Sequence, residues 1–201
     1  MIERFPASNI NEIAISAGFW PSSSGAQKLS VRMPVFKTVL IGEGGVGKTS
    51  LAVRYTEDRF DQKMKMTIGV NFATKNVRVG NTELTLLLWD LGGQPRFQEV
   101  ISDYFIGSKL GFAVYDVNRI FTLHKLRNWV ERLHKAVPQC ALFFVGNKID
   151  ERIEGMGVTP EDAQQFAEEN NAKLFEVSAK SGEGVFEMFD AAGKYLAESV
   201  Q

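Results

Sequence analysis

The sequence predicts an α/β fold, with a mostly parallel sheet covered by helices on both faces. Three observations carry that expectation. From Val35 onward, six short apolar runs alternate with stretches of helical periodicity: "VFKTVLIG", "VNFATKNVRV", "ELTLLLWD", "LGFAVYDV", "ALFFVGNK" and "KLFEVSA". Several of these runs are nearly continuous in apolar residues, the pattern of strands buried on both faces. A glycine-rich turn, "GEGGVGKTS", sits between the first run and the segment that follows it, where a strand hands over to a helix.

Taken in order, the chain opens differently from how it continues. "PSSSGAQKLS" is linker-like, and "NINEIAISAGFW" is weakly amphipathic, with Ile10, Ile13 and Ala17 on one side. A disordered or loosely docked extension is therefore expected over residues 1–34, against a rival reading as a membrane or partner helix. Met33 opens "MPVFKTVLIG", where compact folding is expected to start, and is the expected natural first residue of the protein; the folded domain is expected over 35–201. Gly80-Asn81 between two apolar runs signals a hairpin, the source of a single antiparallel strand. Leu123, Leu126, Val130 and Leu133 recur at helical spacing. "TPED" begins another helix, with Thr159 as cap, Pro160 in the first turn and Asp162 near the amide-rich end. Val185, Met188, Ala192 and Leu196 mark a terminal helix. In such sheets ligands bind beyond the carboxyl ends of the strands.

Composition narrows the function. At 201 residues, 44% hydrophobic and 23% charged, the chain suits a globular domain with a substantial core. A net charge of −1 supplies no global field for nucleic acid or an anionic membrane. The lone cysteine, Cys140, excludes an internal disulfide and a thiolate metal cage, and reads as a buried structural thiol opening "CALFFVG". No apolar run approaches the roughly 20 residues that span a bilayer. Ile2 stands where myristoylation needs glycine, and "LAESVQ" lacks a prenylated cysteine. A cytoplasmic monomer without lipid anchor or nucleic-acid partner is expected. His124 and His134, in "FTLHKLRNWVERLHK", read as solvated helix positions.

Four stretches carry chemistry. "GEGGVGKTS" (Gly42 to Ser50) satisfies G-x-x-x-x-G-K-[ST]. The backbone N–H groups of Gly44, Gly45, Val46 and Gly47 turn inward around phosphate oxygens, and the following helix, entered through Lys48, Thr49 and Ser50, adds its positive end. Lys48 is placed to neutralise the β- and γ-phosphates, and the Thr49 hydroxyl to ligate Mg²⁺. "GNKID" offers Asp150 as acceptor for the N1–H and 2-amino group of guanine. Adenine would leave that carboxylate unpaired, a difference worth roughly 10⁴–10⁵ in discrimination. Asn147 would orient loop and base, with the Lys148 stem over the purine. "EVSAK" adds the Ala179 amide, aimed at guanine O6, with Ser178 steadying Asp150 and Lys180 closing the motif.

The fourth stretch, "LLLWDLGGQPRF", ends an apolar strand in Asp90, which fits the acidic element that holds Mg²⁺ directly or through water. The Gly93 N–H would bond the γ-phosphate only while it exists, and Gln94 would orient the attacking water. The segment is expected to be ordered by the triphosphate and released after hydrolysis. The rival reading is a glycine turn before a helix over "RFQEVISDYF".

As a set, these motifs resemble the Ras-superfamily small GTPases, closest to the Rab branch, over everything after residue 34. "TIGVNF" resembles the first switch of Rab proteins, and "WD", "GQ", "RF", "YDV", "NKID" and "SAK" follow in family order. The resemblance implies that Thr67 caps Mg²⁺ and contacts the γ-phosphate. It places Phe60 on the guanine edge opposite the lysine. Phe72, Trp89 and Tyr104 match the aromatic trio that Rab proteins present to effectors, with ordinary half-buried aromatics as the open alternative. The implied fold is that of the P-loop NTPases, six strands with one antiparallel and five helices. The implied function is a switch that binds GTP or GDP with Mg²⁺ and slowly hydrolyses GTP through Lys48, Thr67, Gly93 and Gln94. Effectors, exchange factors and GTPase-activating proteins are implied as partners through residues 61–70 and 90–105.

The chain also departs from the family. Leu91-Gly92 replaces the usual Thr-Ala, closer to Arf proteins, and Pro95 replaces a glutamate, biasing Gln94 toward extended backbone. Met64 and Met66 replace the aromatic and proline common in the first switch. No arginine in the switch is suited to act in cis, which implies slow hydrolysis. A non-cycling guanine-nucleotide-binding scaffold is the alternative that Pro95 keeps open. A phosphate-loop kinase or ATPase would have no use for "NKID" and "SAK".

Overall fold

A computed structural model of the chain describes residues 33–93 and 101–199. The extension expected before Met33, together with Gln94 and Pro95, lies outside the described residues. The six strands are β1 (Val35–Ile41), β2 (Val70–Val79), β3 (Thr82–Leu91), β4 (Leu110–Asp116), β5 (Ala141–Asn147) and β6 (Lys173–Val177). They form one sheet in the order β2-β3-β1-β4-β5-β6, in which the β2–β3 pair is antiparallel and the others are parallel. The two-residue turn at Gly80-Asn81 sets Val79 opposite Thr82, as the hairpin signal required. The Pro34 carbonyl accepts from the Thr85 N–H at 2.8 Å, so pairing begins one residue ahead of β1.

The helices among the described residues are α1 (Lys48–Glu57), α2 (Ile120–Ala136), α3 (Pro160–Glu169) and α4 (Val185–Glu198). Five were expected and four are present in the described residues; Ile101–Phe105 forms a 3-10 turn. The α3 start is built as "TPED" indicates: the Thr159 hydroxyl accepts from the Asp162 N–H at 3.1 Å, with Pro160 as first helical residue.

Period-two alternation divides the core. Leu40, Leu86, Phe112 and Phe143 face α1 and α4, and Phe189 fills that layer. Their chain neighbours Val39, Ala113 and Phe144 face the opposite way, toward Leu126 and Trp129 of α2 and Phe166 of α3. Strand β4 is buried along its whole length, which is why its sequence shows no polar alternation. Cys140 packs just ahead of β5, where burial pushes its thiol up to about 12. His124 is solvated as expected; His134 is half-buried, its Nε2 3.1 Å from the Cys140 carbonyl oxygen. No helix among the described residues is long and apolar enough to cross a membrane.

Parallel pairing brings the carboxyl ends of β1, β3, β4, β5 and β6 to one edge. Leu40 is level with Asp90, and Asp116 with Asn147 and, one strand further, Val177. Loops leaving these ends supply the site.

Candidate functional site

The glycine-rich loop runs from the end of β1 into α1. Lys48, the first residue of α1, folds back so that its ammonium donates to the Gly42 carbonyl at 2.7 Å and the Glu43 carbonyl at 2.9 Å. Burial pulls this ammonium down to about 8, although the Asp90 and Glu43 carboxylates act in the other direction. The loop is pinned from outside as well. The Trp129 indole donates to Glu43 at 3.2 Å, and the Asn147 amide donates to the Val46 carbonyl at 2.8 Å. Gly47 has φ +98, and a Cβ there would stand 2.2 Å from the Asn147 amide nitrogen, so only glycine permits that approach.

Beside the lysine, three oxygens converge. The Thr49 hydroxyl donates to Asp90 Oδ2 at 2.6 Å and lies 2.6 Å from the Thr67 hydroxyl, which donates to the same Oδ2 at 3.3 Å. Asp90 is only 2% exposed, and its Oδ1 is buried without a hydrogen bond even though Asn71 is its neighbour on β2. Burial raises this carboxyl above its usual range, against the Thr49 hydroxyl and the Lys48 ammonium. A buried anion with a spare oxygen and two hydroxyls at hand is a donor set suited to a hard divalent cation. Gly93 leaves β3 against the glycine-rich loop, so close that a Cβ would meet the Gly44 nitrogen at 2.5 Å.

The far corner is built from β5 and β6. Asn147 bridges both loops, since its Oδ1 accepts from the Ala179 N–H at 3.0 Å while its amide holds Val46. Ser178 donates to Asp150 Oδ1 at 2.6 Å. Lys180 stands 3.4 Å from Asp150 and 3.0 Å from Glu151. Lys148 adopts a left-handed backbone (φ 73) and places its ammonium 2.6 Å from Asp116. Burial alone would raise the Asp116 carboxyl, but hydrogen bonds from Lys148, the Asn118 amide and Arg119 hold it below the usual range.

Gly44, Gly45, Gly47, Thr49 and Ser50 line one pocket with Phe60, Thr67, Gly93, Lys148, Asp150, Ala179 and Lys180. Val46 and Ser178 stand behind it, both fully buried, and act through a carbonyl and a hydroxyl. Gln94 lies outside the described residues. Met64 and Met66 also reach the pocket, Met66 Cε lying 3.1 Å from where a Gly44 Cβ would be.

Over residues 37–198 the sequence matches the Ras family. It is 39% identical over 167 residues to Ras-related protein Rab-21 of Mus musculus, covering 83% of this chain and 75% of that protein. It is 36% identical over 162 residues to GTP-binding protein ypt5 of Schizosaccharomyces pombe, covering 80% and 77%. Identity to GTP-binding protein ypt3 of the same yeast is 38% over 156 residues, covering 77% and 72%. The chain belongs to the Ras family, in its Rab branch.

Within this small GTPase, the Arf-like Leu91 is fully buried on the α2 side of the sheet and stays out of the pocket. The aromatic trio is contiguous. Phe72 meets Trp89 edge-on at 4.6 Å, Trp89 meets Tyr104 at 6.0 Å, and Phe72 is 56% exposed. Sequence reasoning missed Asp116, which anchors Lys148 and Arg119. Its signal was present: "LGFAVYD" ends an apolar run in an acid, as "LLLWD" does. It also missed Arg54 and Glu43, whose contacts come from residues remote in sequence.

Proposed function

We propose that this Rab-branch protein is a guanine-nucleotide-dependent switch that binds GTP or GDP with Mg²⁺ and slowly hydrolyses GTP. The observation that carries this reading is the position of Thr67. Its hydroxyl, on the loop between α1 and β2, lies within hydrogen-bonding distance of both Thr49 and Asp90. A segment remote from the phosphate loop thus supplies one donor of a shared cation site, so occupancy of that site governs where the segment rests.

Thr49, Thr67 and Asp90 would hold Mg²⁺, which supplies charge neutralisation for the transferred phosphoryl group. With a single carboxylate, the site leaves its remaining ligands to water and phosphate oxygens, the habit of Mg²⁺. Lys48 exchanges its two carbonyl partners for phosphate oxygens. The Gly93 N–H donates to the γ-phosphate, and Gln94 orients the attacking water. Asp150 accepts from the N1–H and 2-amino group of guanine, between the Lys148 stem and the Phe60 ring. The G domain spans 35–201 behind an extension over 1–34. Effectors, exchange factors and GTPase-activating proteins engage residues 61–70 and 90–105, with Phe72, Trp89 and Tyr104 on the effector side.

Purified protein is expected to carry GDP and to release phosphate from GTP but not from ATP, with turnover abolished by chelating Mg²⁺. Equal use of ATP, or binding indifferent to the base, would refute the reading.

A further inference from the structure

Arg54 occupies the middle of α1, five residues beyond the threonine of the cation site, and its side chain is 14% exposed. Its guanidinium spans the gap to the loop after β6. Nε donates to the Ala179 carbonyl at 3.0 Å and Nη2 to the Lys180 carbonyl at 2.8 Å, while Nη1 is tied to Asp58 at the end of its own helix. The planar fork thus grips two successive carbonyls at fixed geometry, which a flexible ammonium would not do.

A trans peptide points its carbonyl and its N–H to opposite sides. The two peptide units held by Arg54 therefore turn their N–H groups away from α1. The second unit shows where that is: the Ser181 N–H donates to the Ser178 hydroxyl at 3.0 Å, and that hydroxyl donates to Asp150. The first unit carries the Lys180 N–H. It has no hydrogen-bond partner among the described residues, whereas the neighbouring Ala179 N–H is held by Asn147. Lys180 lines the pocket beside Asp150.

We propose that Arg54 is a positioning residue for guanine specificity: its grip on the Ala179 and Lys180 carbonyls aims the Lys180 N–H at the 6-oxo group of the bound base. This rests on the guanine-nucleotide reading of the pocket. Asp150 reads the neighbouring N1–H and 2-amino group of the same edge; the Ser178 hydroxyl that holds it meets the Ser181 N–H of the second gripped unit, but its backbone has anchors besides Arg54. Ser178 is fixed independently, through its N–H to the Glu183 carbonyl at 2.9 Å and its carbonyl to the Gly182 N–H at 2.8 Å.

The 6-oxo and 2-amino groups of the base can be probed separately. 6-Thio-GDP replaces the 6-oxo acceptor with a larger, weaker one, and IDP lacks only the 2-amino group. Affinities of GDP, 6-thio-GDP, IDP and ADP are to be measured by displacement of a fluorescent GDP from wild type and Arg54→Ala. The expected result is that the preference for GDP over 6-thio-GDP shrinks about tenfold in the variant, the worth of one neutral hydrogen bond, while the preference over IDP changes by less than about twofold. Two unchanged ratios, or two ratios that shrink alike, would overturn the proposal, since a general loosening of the loop affects recognition of both groups. Should Arg54→Ala fail to retain nucleotide, Arg54→Gln and Arg54→Lys are read the same way, with Arg54→Lys expected to recover part of the 6-oxo selectivity. A wild type that does not prefer GDP to ADP would instead refute the nucleotide reading itself.

Discussion

Lys48 shows how one side chain can be held ready by cost alone. Its ammonium is buried, caps two carbonyls and is pulled down from 10.5 to about 8 by desolvation. Phosphate oxygens would restore the charge, so nucleotide binding should take up a proton between these values, and GDP affinity should fall as pH rises through that window. The same depression means the unfolded chain binds more protons there, so this group makes the nucleotide-free fold more stable as pH rises. Calorimetry of GDP binding at pH 8.5 in buffers of different ionisation enthalpy is expected to show net uptake, and Lys48→Arg to reduce it. Other residues at this scale were unequally legible. Lys48, Thr49 and Asp150 stand at fixed spacing in local motifs whose chemistry follows from their neighbours. Arg54 belongs to no motif, and Asp116, although it sits in "YDV", shows no role there, because their partners arrive from other strands and helices.

Whole elements were more legible, because their signals are local. The Gly80-Asn81 hairpin, the Thr159 cap and the alternating burial of β2 follow from turn chemistry and side-chain periodicity. The helix count was not, since "RFQEVISDYF" reads as helical whereas its described end, Ile101–Phe105, is a 3-10 turn. Helix α4 illustrates what packing adds to pattern. Its amphipathic spacing marks Val185, Met188, Ala192 and Leu196, but the tightest contact is made by Phe189, whose ring stacks on Tyr55 of α1 at 4.0 Å and meets Phe112 of β4 at 4.9 Å. Phe189 joins α1, which carries Arg54, to the sheet. Phe189→Ala is expected to cost about 3–5 kcal/mol in urea denaturation of the GDP-bound protein; a loss below about 1 kcal/mol would mean the layer collapses around the gap.

For the molecule as a whole, the sheet is a frame on which two loops meet at the cluster of Thr49, Thr67 and Asp90. The Gly92 N–H donates to the Gly69 carbonyl at 2.8 Å, so the segments before β2 and after β3 are joined directly. Exchanging GDP for a non-hydrolysable GTP analogue should therefore slow amide hydrogen exchange over 61–70 and 90–105 together, leaving β4 and β5 unchanged. Protection of one segment without the other would contradict a shared site. By itself the sequence determined the strand–helix order, the hairpin and the glycine-rich loop, and it singled out Asp150 as the candidate acid for reading guanine, because each is written in residues adjacent along the chain. Only the tertiary structure decided that Thr67 reaches Asp90, that Asp116 holds Lys148, and that Arg54 braces the loop after β6. Those pairs depend on strand register, antiparallel for Thr67 and Asp90 and parallel for Asp116 and Lys148, and on how α1 lies against the sheet, and long-range geometry of that kind leaves no periodic trace in the sequence.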